Sequence, residues 1–220
     1  MMHHTVKNLI KITDKINTRL EQINKIKNYK IIAVSKTFPL EEILPLIEYG
    51  QKDFGENKVQ EAIDKWSDIK NNHRNIKLHL IGKLQTNKVK IAVKIFDYIH
   101  SVDSFKLAKK ISEEQIKQKK NIKIFIQVNI GNETQKSGID LKELKNLCFF
   151  CKEINLKVVG LMCIPPINQK PLEYFKQMNV LKQELKLLEL SMGMSADYLE
   201  AVDQNSSYLR IGSNIFGKRI

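Results

Sequence analysis

A lysine closes the first apolar run of the chain, Ala33-Val34-Ser35-Lys36. An amine at the end of a buried strand is partly desolvated, so its pKa falls and it can attack a carbonyl. The same residues also describe an ordinary rim lysine. A second candidate is Leu190-Ser191-Met192-Gly193-Met194-Ser195, where an apolar run gives way to one glycine, two hydroxyls and a short helical stretch. Backbone N–H groups in such a turn bind anions, and serine hydroxyls add donors. A plain turn capped by Ser195 reads equally well. The third is Leu209-Arg210-Ile211-Gly212-Ser213-Asn214-Ile215-Phe216-Gly217. Here a strand again ends in glycine and a hydroxyl, and Arg210 within it needs a partner if buried. That partner could also be a carboxylate at the rim.

These residues need elements to bring them together. Short apolar runs at 31–35, 53–55, 78–82, 98–101, 124–130, 158–164, 187–192 and 208–212 read as buried strands, the second by position more than by pattern. Helical periodicity occupies 40–49, 58–70, 87–95, 104–119, 141–155, 173–188 and 196–202, and an opening helix covers 6–26. Strands alternating with helices pair in parallel, and near-continuous apolar strands are buried on both faces. Eight such units without a long linker predict a (β/α)8 TIM barrel, an α/β fold, over one domain spanning 1–220. In such barrels chemistry sits where strands end, and phosphate is commonly held by the loops after strands seven and eight. Lys36, the 191–195 turn and the 212–213 turn all fall at strand ends.

Composition narrows the classes. A formal net charge of +13 over 220 residues admits nucleic acid, anionic membrane or acidic ligands. No nucleic-acid motif accompanies it, so scattered lysines on solvated helix faces are the better reading. No apolar run is long enough to span a bilayer, and Met1 to Val6 lacks the features of a secretory signal. Cys148, Cys151 and Cys163 are an odd set of thiols, which fits a reducing cytoplasm. The C-x-x-C at 148–151 falls mid-helix around two phenylalanines, which favours core packing over redox work.

Taken in order, the chain carries Ala-Val-Ser-Lys at 33–36, Phe-Gly-Glu-Asn at 54–57, His-Leu-Ile-Gly-Lys-Leu-Gln-Thr-Asn-Lys at 79–88 and Lys-Ser-Gly at 136–138. Gly-Leu-Met follows at 160–162, Ser-Met-Gly-Met-Ser at 191–195 and Arg-Ile-Gly-Ser-Asn-Ile-Phe-Gly at 210–217. This series resembles the pyridoxal phosphate homeostasis proteins and covers nearly the whole chain. The resemblance implies the barrel of alanine racemases, with an extra N-terminal helix and without their second β domain. It implies pyridoxal 5′-phosphate (PLP) held as an internal aldimine on Lys36. It places the phosphate around Ser191, Gly212 and Ser213, Arg210 at the pyridine nitrogen, Asn57 near the ring, and Met192 and Met194 in the pocket wall. His79 is a supporting position. The implied role is storage, buffering or delivery of PLP with little or no turnover and no catalytic residues. The chain as a whole is expected to be a cytoplasmic protein without metal, able to act as a monomer, with PLP-requiring apoenzymes as partners if PLP is delivered. A small PLP-dependent amino-acid racemase is the first alternative, and a basic nucleic-acid adaptor the second.

Overall fold

In the computed structural model, which describes residues 1–133, 135 and 137–217, eight parallel strands close into one barrel in sequence order. The strands are β1 (Lys30–Val34), β2 (Asp53–Glu56), β3 (Lys77–Leu80), β4 (Tyr98–Val102), β5 (Lys123–Gln127), β6 (Lys157–Met162), β7 (Glu189–Ser191) and β8 (Tyr208–Ile211). Pairing of Lys30 with Tyr208 through Ala33 with Ile211 seals the first strand to the last. The helices are α1 (His4–Gln22), α2 (Leu40–Tyr49), α3 (Val59–Asn72), α4 (Val89–Ile95), α5 (Phe105–Lys117), α6 (Leu141–Glu153), α7 (Pro171–Glu184), α8 (Tyr198–Asp203) and α9 (Ser213–Phe216). No second domain stands beside the barrel among the described residues. None of the described helices is long and apolar enough to cross a membrane.

Strand alternation divides the core in two. Side chains pointing outward pack under the helices, where Trp66 and Phe54 meet at 4.9 Å between ring centroids. Those pointing inward form a smaller cluster of Ile32, Val34, Tyr98, Phe125, Met162 and Tyr208 that fills the barrel. Tyr98 and Tyr208 floor it, with Lys30 and Lys123 each donating to a tyrosine hydroxyl at 3.1 Å. The opening helix α1 buries Val6, Leu9, Ile12, Ile16 and Leu20 along one stripe. It is tied to the end of α8 by Arg19, which donates to both oxygens of Asp203 at 2.8 and 2.7 Å.

Several boundaries differ from the sequence reading, each for a local reason. The overlap at 187–188 resolves as neither helix nor strand. Helix α7 stops at Glu184, Lys186 takes a left-handed φ of 52°, and Leu188 stands 82% exposed before β7 begins. Helix α1 ends at Gln22, four residues early, where Ile23 leaves helical geometry and Asn24 takes φ 51°. The stretch 87–95 opens as a 3-10 turn before α4. Helix α9 was not expected, since four residues are too few to show a period.

Candidate functional site

A cavity of about 420 Å³ opens at the C-terminal ends of the strands, lined among others by Lys36, Asn57, Ile81, Arg210, Gly212 and Ser213. Lys36 follows β1, beside a Thr37 whose φ of 68° is rare for a β-branched residue. Such a conformation costs of order 1–3 kcal/mol and persists only where the surroundings impose it. They do so here. The Thr37 N–H donates to the Glu61 carboxylate, and Lys65 donates to the Ser35 carbonyl at 2.9 Å. Lys65 also pairs with Glu56 and Glu61, each at 3.1 Å. Glu56 Oε1 in turn accepts from Ser35 Oγ at 2.8 Å and from Trp66 Nε1 at 3.0 Å. Burial pushes the Glu56 carboxyl above its ordinary pKa, against the pull of Lys65, Trp66 and Ser35. The segment carrying Lys36 is therefore clamped from behind by α3.

The opposite wall is made by the turns after β7 and β8. Asn214 joins them: its N–H donates to Ser195 Oγ at 3.3 Å and its side-chain amide to the Ser195 carbonyl at 2.8 Å. Among the described residues, the backbone N–H groups of Ser195, Ala196 and Ser213 have no hydrogen-bond partner. With the hydroxyls of Ser195 and Ser213 they form a donor set that suits an anionic oxygen cluster.

Arg210 lies at the base of the cavity, 4% exposed. It donates to Ser191 Oγ at 2.7 Å and to the Cys163 carbonyl at 2.9 Å. Among the described residues no carboxylate comes within ion-pair distance of it. Burial lowers the guanidinium's pKa from its ordinary value, but arginine keeps its proton in proteins.

The expected site residues thus divide. Lys36, Asn57, Met194, Arg210, Gly212 and Ser213 line the cavity. Ser191 and Met192 do not: both are fully buried below it. Ser191 spends its hydroxyl on Arg210 and on His100, whose Nδ1 lies 2.8 Å away, so the structure puts it beneath the arginine rather than among the anion donors. Met192 follows the alternation of β7 outward into the core under the helices. Ser195 and Ala196 take the wall positions instead, and their turn after a strand end is the signal that pointed there. Lys136 of the Lys-Ser-Gly motif lies outside the described residues. Cys148 and Cys151 are free, and burial pushes their thiols up to about 11 and about 12, away from the thiolate form a redox pair uses.

His79 and His100 are both fully buried inside the barrel. Burial lowers the pKa of each, opposed at His79 by Asp53 and reinforced at His100 by His79 and Arg210. Unfolded, each ring takes up a proton near about pH 6.5. The unfolded chain therefore binds more protons below that pH, and stability is complete above it and lost as the pH falls. Thermal melting of the protein without ligand should show a falling midpoint from about pH 6.5 downward. A flat midpoint between about pH 7 and 5 would show that the rings are not held neutral.

The alanine racemase N-terminal domain family matches residues 11–219. A pyridoxal phosphate homeostasis protein of Vibrio cholerae is 36% identical over 99% of this chain and 98% of its own length. One from Aquifex aeolicus is 36% identical over 96% of each chain. PipY of Synechococcus elongatus, solved with PLP bound, is 33% identical, with a TM-score of 0.81 over 92% of this chain and 100% of PipY. PipY solved without PLP gives 34% identity and a TM-score of 0.83. With motifs, fold and cavity agreeing along its whole length, this chain belongs to the pyridoxal phosphate homeostasis protein family, whose barrel is that of the alanine racemase N-terminal domain.

Proposed function

We propose that this protein binds PLP in the cavity, linked to Lys36, and stores, buffers or delivers it without appreciable turnover. The donor set fits the group. Lys36 would supply the amine for its aldehyde, and Ser195, Ala196, Gly212 and Ser213 in the same cavity would take its phosphate. Arg210 at the base of the cavity would meet the ring, with Asn57 and Met194 in the wall.

The observation that carries the non-catalytic reading is Arg210 without a carboxylate. Bound PLP supplies an electron sink, strongest when its ring nitrogen is protonated. Arg210 only donates and stays charged, so beside that nitrogen it would favour the unprotonated form. Exchange of a substrate α-proton would also need a second acid–base group. Lys36 and Arg210 are the titratable side chains among the described lining residues, and Arg210 does not give up its proton. The proposal extends to a single-domain monomer that passes PLP to apoenzymes. The free thiols suit the cytoplasm.

The test uses the purified full chain with added PLP. The expected result is a visible absorption band, trapped by borohydride as a covalent adduct, with no α-proton exchange when alanine is supplied in deuterated water. Exchange at ordinary enzymatic rates, about 1 per second or more, would make the chain a racemase instead.

A further inference from the structure

Four hydrogen bonds cross the inside of the barrel from its floor to the cavity. His79 Nε2 lies 2.9 Å from Asp53 Oδ1, at the N-terminal end of β2. His79 Nδ1 lies 2.9 Å from His100 Nε2, and His100 Nδ1 lies 2.8 Å from Ser191 Oγ. Arg210 donates to Ser191 Oγ at 2.7 Å. His79, His100, Ser191 and Arg210 are buried, and stacking fixes the rings: His79 on Tyr98 at 4.4 Å and His100 on Phe125 at 4.2 Å.

The two ends set the direction of every proton. The Asp53 carboxylate only accepts, so His79 donates through Nε2 and, being neutral, accepts at Nδ1. His100 must then donate through Nε2 and accept at Nδ1. Ser191 therefore donates to His100 and accepts from Arg210, which can do nothing else. All four bonds point the same way, from the cation at the cavity to the anion at the floor. A one-directional chain polarises each of its members. It also gives the buried guanidinium a counter-charge without placing a carboxylate in the cavity, and it leaves the remaining Arg210 donors for a ligand.

We propose that Ser191, His100, His79 and Asp53 are positioning residues, a relay that orients and charge-balances Arg210 from the far end of the barrel and so tunes how the PLP ring is held. This rests on the PLP reading above. The acceptor at the end of the relay matters because Asp53→Asn introduces an amide that can donate, which allows the chain to reverse and takes its terminal charge away.

The experiment measures PLP affinity and the absorption maximum of the Lys36-linked cofactor in wild type, Ser191→Ala, Asp53→Asn and Lys77→Ala. Lys77 is exposed at the same end of the barrel and outside the relay, so Lys77→Ala should match wild type. Ser191→Ala removes one of Arg210's two acceptors, and we expect about tenfold weaker binding with a shifted band. Asp53→Asn should shift the band in the same sense and weaken binding by roughly three- to tenfold, with no contact to the ligand. A purely structural role for Asp53 would lower the melting temperature but leave the band in place. If wild type takes up PLP and both relay variants keep its band and affinity, the relay is overturned while the cofactor site stands. If wild type takes up no PLP, the cofactor reading itself falls. If Asp53→Asn does not fold, Ser191→Ala decides, since it leaves the chain from Asp53 to His100 intact.

Discussion

Replacing Lys36 with alanine should abolish the covalent link to PLP altogether. The wild-type chain is expected to show a visible band and, after borohydride, a mass gain on the peptide containing Lys36; the variant should show neither. Weaker non-covalent binding should survive, because Arg210 and the N–H groups of Ser195, Ala196 and Ser213 remain. We expect affinity to fall by at least about 100-fold, some 2.7 kcal/mol. The fold should be untouched. The residues that clamp this segment, Glu56, Glu61 and Lys65, bond to Ser35 and Thr37, which the substitution leaves in place. Without ligand the variant should therefore still fold, as circular dichroism would show. With PLP at about 100 times its dissociation constant, wild type should gain about 2.7 kcal/mol, most of which the variant forfeits. Lys36→Arg sharpens the result, since it retains a cation and cannot form the linkage. A Lys36→Ala chain that still traps PLP on the same peptide would move the attachment point elsewhere.

Most of the fold was legible because most strands are long apolar runs, whereas β2, Asp53–Glu56, was placed by its position between helices. A run such as Ile124–Ile126 buries on either side and announces itself without its neighbours. Lys36, Gly212 and Ser213 were legible for a related reason, as polar residues at the ends of apolar runs. What the barrel interior does was harder to read. His100 lies mid-strand in Tyr98–Val102, and nothing local separates it from a packed core histidine. Its meaning comes from register: His79 pairs with Tyr98, which brings His100 within reach of His79 across the interior. Ser191 and Met192 show the same limit. Both adjoin a glycine turn, yet alternation along β7 sends Ser191 inward to Arg210 and Met192 outward. Reading that strand by its period of two would have separated them. Glu56 was hidden by its company: a carboxylate within Phe-Gly-Glu-Asn looks like a rim residue until Ser35, Lys65 and Trp66 are seen converging on it.

The largest loss of stability from one added methyl is expected at Gly160. It sits inside β6, paired with Glu189 of β7. A Cβ built there would stand 2.0 Å from the Glu189 carbonyl oxygen and 2.5 Å from its carbonyl carbon. Those are backbone atoms, so no side chain can swing aside; the two strands must separate or twist. Overpacking against flexible neighbours costs about 1–3 kcal/mol, and a clash with the ladder itself belongs at or beyond the upper end. For a chain of this length about 3 kcal/mol lowers the melting temperature by roughly 6–12 °C. Gly50→Ala separates this effect from glycine's conformational freedom. Gly50 has a left-handed φ of 103° and open space around its Cβ position, so its substitution carries only backbone strain, about 1 kcal/mol. Gly160→Ala should melt well below Gly50→Ala, as read by circular dichroism without ligand. It should also disturb the cavity, because β7 is only three residues long and ends in Ser191. Moving that strand pulls the acceptor away from Arg210. If Gly160→Ala melts with wild type, the strands do not approach as closely as Gly160 permits. If it melts low yet retains the wild-type PLP band once loaded, the strain is absorbed at the start of β7 and does not reach Ser191.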